Sequence, residues 1–495
     1  MKFLILQLLA LMVPCSLMSQ STSFEYIFNQ NKTDFAEIAI ETPDSGFLIA
    51  ANQWGLAYPR RNSIIKISKK GILIKTLTFG NDSAPSYIKR LLKTNYGFLA
   101  VGAQNVVYGK SYLWLIKMDK QLNVISEKSH EVPNILQELI ADIDRDSNII
   151  IGGSISYKKN YLPRLFGAKV AKNGDLVFLT YQFPSDSISA ATNLNNPYIG
   201  YFDYMITMQD SARHVFFDGF KMVSVDSSFD VVHKISMPYV PSFYFLLNPT
   251  VLRLTDTTYY VAGEGEEGLS RKKTLYFSTI NLNGRYANFK MLGLQDTSEH
   301  VATQHSLDTT KNGDIYIGST FNFPLYCQNP PLCNDTSYFV LQKLDKQQNA
   351  LWKKRYGKDG QYVMFGLLAT RDGGCLMYGY RYTHDVPKRF EGYVLKVDGN
   401  GLMTSETAIP MPQQTITAYP NPSNGQLNFK KEDPSVSNRF DVNIFDISGK
   451  LVFQKRETNL TETFDLSHLS EGNYMYQITS ENAIVAVGKW VKIKN

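Results

Sequence analysis

Between residues 24 and 408 the chain repeats itself, and that repeat restricts the fold more than any other feature. A turn leads into a short apolar run that usually ends on glycine. Asp44-Ser45-Gly46 precedes Phe47-Leu48-Ile49-Ala50, and Asn95-Tyr96-Gly97 precedes Phe98-Leu99-Ala100-Val101-Gly102. Asp146-Ser147-Asn148 precedes Ile149-Ile150-Ile151-Gly152, and runs of the same kind recur at 215–219, 259–263, 315–318 and 375–379, seven in all. Each is followed by a second strand and a matching turn, as in Lys117-Met118-Asp119-Lys120-Gln121-Leu122 and Lys343-Leu344-Asp345-Lys346-Gln347-Gln348. One further strand precedes each apolar run, and another follows each second turn. Four strands recurring at about fifty residues predict a β-propeller blade, so the expectation is an all-β, seven-bladed propeller. No long amphipathic helical stretch interrupts it, and the abundance of tyrosine and phenylalanine (30 and 29) suits strands.

A ring of blades must close. Phe24-Glu25-Tyr26-Ile27-Phe28 lies ahead of the first complete unit and reads as the outer strand of a blade. It is expected to pair with the last unit near 390–408, which removes an open sheet edge. The predicted organisation is a signal peptide over 1–19, the propeller over 20–408, a linker over 409–417 and a small domain over 418–495. Residues 352–380, with Asp372-Gly373-Gly374, resemble the Asp-Gly-Gly repeat of secreted bacterial propellers.

The last eighty or so residues differ in pattern. Tyr419-Pro420-Asn421-Pro422 cannot be helical, because each proline fixes its own φ and pushes the residue before it into an extended form. Ser423-Asn424-Gly425 is turn chemistry, and Gln426-Leu427-Asn428-Phe429 alternates polar and apolar as a half-buried strand does. Short strands and turns continue through Phe445-Asp446-Ile447-Ser448-Gly449-Lys450 and Leu469-Ser470-Glu471-Gly472-Asn473-Tyr474 to a Lys-rich end, predicting a small antiparallel sandwich. These blocks, in this order, resemble the type A sorting domain of type IX secretion. The resemblance covers about 413–495. It implies an immunoglobulin-like fold, a route across the outer membrane to the cell surface or beyond, and a partner in the type IX machinery. It assigns the sorting motif to Tyr419, Pro420, Asn421, Pro422, Gly425, Gly449, Gly472, Lys489 and Lys492. Lys489, Lys492 and Lys494 are read as a basic edge on the last strand.

The N-terminus agrees with export. Met1-Lys2 is a short positive region, residues 3–13 are apolar, and Ser16-Leu17-Met18-Ser19-Gln20 offers a small-residue cleavage site after Ser19. The apolar run is too short to span a bilayer, and no later segment is long and apolar enough to do so. In an exported chain Cys327 and Cys333, with five residues between them in a loop-like segment, are expected to form a local disulfide, and Cys375 a buried free thiol. The formal charge of +6 is small for 495 residues and its cations are scattered, which excludes a nucleic-acid footprint.

For chemistry, the expected insertions matter most. Propeller geometry puts the first-to-second and third-to-fourth strand turns on one face. The second-to-third loops and blade-to-blade connections lie on the other, where segments 52–62, 103–110, 155–162, 183–201, 264–274, 319–336 and 381–391 are read as insertions. They hold Trp54, Tyr58, Arg60, Arg61, Tyr157, Tyr161, Tyr198, Phe323, Tyr326, Tyr382 and His384, a mix of aromatics and cations suited to a glycan or protein surface. Catalytic alternatives are sparser. Glu264 and Glu266 share a strand face and could take calcium or serve a glycan-active hydrolase or lyase, although a Gly-Glu-Gly-Glu-Glu-Gly loop is ordinarily solvated. Glu299, His300 and His305 invite an acid–base reading, but residues five apart on a strand face opposite ways, so the histidines should diverge. No Gly-x-Ser-x-Gly or His-Glu-x-x-His motif occurs, and the residues imply no cofactor. The reading is a secreted or surface binding protein, with the hydrolase as its alternative.

Overall fold

The structure, a computed structural model, describes residues 23–28, 33–54, 61–80, 85–106, 110–133, 135–156, 163–181, 204–207, 213–217, 221–236, 243–255, 257–267, 272–293, 299–323, 336–357, 360–383, 390–403, 416–431, 440–446, 450–459, 462–480 and 483–494. The signal peptide, Cys327, Cys333 and Gly449 lie outside them. Every described element is a β-strand, and the chain divides into two compact units, Met1–Ile65 with Thr76–Glu406 and Lys66–Lys75 with Thr407–Asn495.

The first strand, β1 (Phe24–Phe28), stands apart from the sheet next to it in sequence. That sheet joins β2 (Thr33–Glu41), β3 (Phe47–Trp54), β4 (Asn62–Ile67) and β5 (Leu73–Phe79). The second joins β6 (Ser86–Thr94), β7 (Gly97–Val106), β8 (Lys110–Asp119) and β9 (Val124–Pro133). The third holds β10 (Ile135–Ile143), β11 (Ile149–Ser156), β12 (Pro163–Val170) and β13 (Leu176–Tyr181). The fourth holds β14 (Tyr204–Thr207), β15 (Arg213–Phe217), β16 (Lys221–Asp226) and β17 (Val231–Ser236). The fifth holds β18 (Phe243–Arg253), β19 (Thr258–Glu267), β20 (Lys272–Asn281) and β21 (Tyr286–Met291). In the sixth the first strand is broken into β22 (Glu299–Val301) and β23 (Leu307–Thr309), both paired to β24 (Ile315–Phe321), with β25 (Tyr338–Leu344) and β26 (Ala350–Tyr356) outside. The last sheet runs β27 (Gly360–Ala369), β28 (Cys375–Thr383), β29 (Glu391–Val397) and then β1. The first strand of each sheet packs beside the first strand of the next, and β27 returns to β2. Successive antiparallel sheets arranged in this way are a β-propeller.

The ring joint has a definite register. Phe24 faces Lys396 and Phe28 faces Gly392. Phe24, Tyr26 and Phe28 are buried, while Glu25 and Ile27 are half-buried. Gly392 is required here, because a Cβ on it would meet the Phe28 ring at 2.0 Å. Burial raises the Tyr26 phenol to about 12.

The third-to-fourth hairpins share one chemistry. In Asp119–Asn123, Asp226–Asp230 and Asp345–Asn349 the first residue's N–H donates to the fifth residue's carbonyl, and the fourth residue's N–H donates back. The leading carboxylate also caps the turn: Asp119 Oδ1 accepts from the N–H of Gln121 and of Asn123 at 2.9 and 2.8 Å. The fourth position has positive φ, occupied by glycine at Gly71, Gly174, Gly284 and Gly401 but by Leu122, Phe229 and Gln348 elsewhere. Phe229 is 1% exposed, and its ring covers Gly167 of the neighbouring sheet. Phe229→Gly should relieve about 1 kcal/mol of left-handed strain and still lose about 2–3 kcal/mol net, because a buried aromatic is removed. Ser147→Gly, at φ 65° on an exposed turn, should leave stability within about 1 kcal/mol of the parent. Urea denaturation of both variants checks the contrast, and equal losses would overturn it.

The inner strands carry a second recurring device. Glu37, Lys89, Gln137 and Phe365 are each the extra residue of a β-bulge, opposite no partner on the second strand. Cys375 is buried and free, and burial pushes its thiol up.

The C-terminal unit packs one sheet of β30 (Ile416–Tyr419), β31 (Gln426–Lys431) and β34 (Phe464–Asp465) with another of β32 (Phe440–Phe445), β33 (Leu451–Thr458), β35 (Gly472–Ser480) and β36 (Ala483–Lys492). They enclose one core that includes Leu427, Phe429, Val442, Tyr476 and Trp490. The Tyr-Pro-Asn-Pro residues are exposed but anchored. Asn421 Oδ1 accepts from Val491 N at 2.9 Å, its amide donates to the Lys489 carbonyl at 2.6 Å, and Trp490 Nε1 donates to Ser423 Oγ at 2.9 Å. Gly425 has φ 118° and lies against the Ser467 backbone, where a Cβ would come within 2.8 Å of Ser467 N. One expectation is corrected. Lys489 and Lys494 are exposed, but Lys492 is buried and its ammonium donates to the carbonyls of Ser467 (2.7 Å) and Leu469, so it ties two turns together and is no part of a basic edge.

Candidate functional site

Strand alternation sends the starts of the inner strands and the ends of the second strands to the insertion-bearing face. There Phe35 of β2 and Phe365 of β27 meet Tyr380 of β28 and Phe390 just before β29. Phe35 lies with ring centroids 4.8 Å from Tyr380, 5.8 Å from Phe365 and 5.7 Å from Phe390. Tyr380 crosses Phe390 edge-on at 5.1 Å. Burial pushes the Tyr380 phenol up, so it stays protonated.

Opposite this cluster stands a carboxylate–imidazole pair that spans two sheets. Glu264 of β19 is 1% exposed, and its Oε2 lies 3.2 Å from His300 Nδ1 and accepts from the Val301 N–H at 3.3 Å. The carboxylate faces Nδ1, so that nitrogen carries a proton and donates to it. His300 is 9% exposed, and its Nε2 is buried with no hydrogen-bond partner. An orphaned polar atom of this kind costs about 1–3 kcal/mol. Phe323 stands 5.0 Å from the His300 ring. Together with Thr303, Thr320, Val363 and Met364 these groups line a cavity of about 270 Å³.

A second cavity, about 410 Å³, lies at the short-turn end among Arg90, Asp142, Arg253, Gln304 and His305. A polar bridge crosses the channel beside it. Lys89 Nζ reaches Glu37 Oε1 at 2.6 Å, Gln304 Nε2 donates to the same oxygen at 3.0 Å, and Arg90 Nη1 donates to Gln304 Oε1 at 3.2 Å. Glu37 and Lys89 are bulge residues, which explains why they point inward out of phase with their neighbours.

The histidines diverge as expected, His300 to the first cavity and His305 to the second, where His305 Nδ1 donates to the Leu367 carbonyl at 2.9 Å. Glu299 is structural: Ser319 Oγ donates to it at 2.6 Å, and Lys353 Nζ pairs with it at 2.8 Å. The reading of 264–274 as a solvated loop is overturned, since β19 continues to Glu267 and β20 begins at Lys272, with Glu264 buried. Similarly 103–106 and 381–383 are strand. Tyr382 is therefore a core residue, 2% exposed and packed on Phe390 at 5.5 Å, with no face for a ligand. Trp54 ends β3 and Arg61 is exposed before β4. Tyr58, Arg60, Tyr157, Tyr161, Tyr198, Tyr326 and His384 lie outside the described residues. Among the described residues no three His, Cys, Asp or Glu side chains gather closely enough to hold a metal ion. Nor, among the described residues, is any helix long and apolar enough to cross a membrane.

Residues 417–494 match the family described as the secretion system C-terminal sorting domain. The chain is thus an all-β protein with a sorting domain of type IX secretion at its end. Such a domain implies engagement of the type IX machinery and export to the cell surface or beyond. No curated protein matches the chain significantly. Among solved structures it is similar to an α-L-arabinofuranosidase from Fusarium graminearum in complex with an iminosugar inhibitor, at TM-score 0.40 and 12% identity, covering 77% of this chain and 99% of that one. It is also similar to the WD40 domain of SCAP from fission yeast, at TM-score 0.37 and 7% identity over 74% and 96% of the two chains. A Penicillium chrysogenum α-L-arabinanase complexed with arabinobiose gives TM-score 0.36 and 9% identity over 76% and 93%. Likenesses this loose carry no activity across.

Proposed function

We propose that the mature chain is a secreted or cell-surface binding protein. In this reading a signal peptide over 1–19 starts export, a seven-bladed propeller over about 20–408 carries the binding face, and an immunoglobulin-like sorting domain over 418–495 follows a short linker. The insertion-bearing face engages a protein or glycan through Trp54, Tyr58, Arg60, Arg61, Tyr157, Tyr161, Tyr326 and His384, and a Cys327–Cys333 disulfide braces one of its loops. One observation carries the reading: the cavity opening toward that face is walled by aromatics, and its carboxylate, Glu264, is already committed to His300 and the Val301 N–H. A glycoside hydrolase, the alternative, works with two carboxylates flanking the bond to be cut, about 5–10 Å apart.

The test is a protein and glycan array probed with the purified chain, followed by substitution. Replacing Trp54, Tyr58 and Tyr326 by alanine should weaken binding of any partner found by at least about tenfold, as loss of aromatic anchors does. The same number of substitutions among exposed residues of the short turns should change little. Equal losses from the two sets, or glycan cleavage in place of retention, would overturn the reading.

A further inference from the structure

The second cavity, at the short-turn end of the channel, holds a cation whose counter-charge the fold does not supply. We propose that it is a binding site for a small monocarboxylate with a hydrocarbon body, the carboxylate taken side-on by the Nε–Nη2 edge of Arg90. This goes beyond the binding-face reading above and does not rest on it.

Arg90 is half-buried on β6 and pairs with no carboxylate among the described residues. Its Nη1 is spent on the Lys89 carbonyl at 2.8 Å and on Gln304 Oε1 at 3.2 Å. Neither bond uses Nε or Nη2, and among the described residues those two nitrogens are neither hydrogen-bonded nor buried. Glu37, the carboxylate of the polar bridge, serves Lys89 and Gln304 instead. The two N–H groups left over lie parallel on one edge of a planar fork, the arrangement that two carboxylate oxygens accept together. The bonds at Nη1 hold that edge in place before a ligand arrives, which lowers the entropy lost on binding. A guanidinium does not titrate in a protein, so the charge is present at every working pH.

The rest of the cavity limits what the carboxylate is attached to. About 410 Å³ falls within the usual range for small-molecule pockets. Leu92, Ile140, Val251 and Leu252 give it carbon walls, and the Gln304 amide is engaged at both ends. Arg253 and Asp142 also line it and bring opposite charges that offset each other, so Arg90 sets the balance at one positive charge. A dianion such as phosphate would meet Asp142 and the carbon walls with charge to spare. A neutral sugar would bury hydroxyls against carbon and leave the guanidinium uncompensated. A monocarboxylate on a short hydrocarbon satisfies both the fork and the walls. The site opens away from the insertion-bearing face, because Asp142 and Arg253 stand at the ends of β10 and β18 and Ile143 beside them is exposed.

The experiment uses the full chain with hexanoate. 1-Hexanol keeps the hydrocarbon and removes the charge, whereas propionate keeps the carboxylate and shortens the body to that of a glutamate side chain. Calorimetry or ligand-observed NMR should show saturable hexanoate binding at least about tenfold tighter than either, since one comparison removes a charge-assisted pair and the other three buried methylenes. Arg90→Gln should bind hexanoate no better than 1-hexanol. Arg90→Lys, which keeps the charge and loses the fork, should lose about tenfold in hexanoate affinity. If Arg90→Gln does not fold, the comparisons on the parent and on Arg90→Lys decide. Equal affinity of the parent for hexanoate and 1-hexanol, propionate or inorganic phosphate binding as tightly as hexanoate, full hexanoate affinity in either variant, or no saturable binding would overturn the proposal.

Discussion

Removing residues 418–495 is expected to leave a folded body that accumulates in the periplasm, with its surface and secreted levels falling to background. The body should survive the deletion because the hydrophobic clusters at 87–179 and 302–397 are built from its own strands, and the C-terminal unit has a separate core around Trp490. Truncation from Val487 should have the same effect by a different route. It removes Trp490 and Lys492, and with them the anchors of Ser423 and of the turns at Ser467 and Leu469, so the unit could not hold its sheets together. Conversely, residues 413–495 fused to an unrelated exported protein should carry that protein to the surface of a bacterium with type IX secretion. The mature parent protein should lack the segment, cut between about 406 and 418. Fractionation and mass spectrometry of the mature C-terminus measure each point. Surface levels of the truncated chain matching the parent would show the segment to be an accessory domain.

The second large effect is expected at the other end. Deleting residues 24–28 should abolish cooperative folding of the body and drive it into aggregates. Phe24, Tyr26 and Phe28 are buried, and at about 1.5–3 kcal/mol for each such side chain their loss is on the order of 5–9 kcal/mol. A domain's whole stability is about 5–15 kcal/mol, so little would remain. The deletion also uncovers β29, whose unpaired N–H and C=O groups would recruit a second copy of the chain. Phe28→Ala alone should cost about 3 kcal/mol, because the ring is buried and lies over Gly392. Urea denaturation with size-exclusion chromatography decides. A monomeric deletion variant with the parent's midpoint would mean that β1 does not close the sheet energetically.

Particular residues show how far local pattern carries. The apolar runs at 47–50, 98–102 and 149–152 became strands because alternation and β-branching are local signals, and the Asp-led hairpins formed as expected because their hydrogen bonds span five residues. Pairing of 24–28 with 391–397 was readable despite its sequence distance, since a strand left over from a four-strand repeat has one vacant edge to fill. Glu264 was misread because the Gly-Glu-Gly-Glu-Glu-Gly composition signals a loop, whereas ladder pairing with β20 extends the strand to Glu267. Tyr382 was misplaced for the same reason, two residues inside a strand expected to end earlier. The Glu264–His300 pair had a faint signal. One residue comes directly after the glycine ending an apolar run, and the other is the second residue of the next unit's first strand.

The sequence by itself determined the strands, the hairpins, the order of the sheets and the sorting segment, since each depends on side chains and turn residues within a few positions of one another. Tertiary structure alone decided which groups share the cavity. Phe35 meets Tyr380 and Phe390 across most of the chain's length, and Glu264 meets His300 between neighbouring sheets. The bulges at Glu37, Lys89 and Phe365 add one residue to the count and reverse the facing of the strand residues beyond them, so alternation read along the chain cannot say which side chain enters the channel. That choice is made by the packing of inner strands around the ring, where the spacing between sheets sets which atoms come within reach.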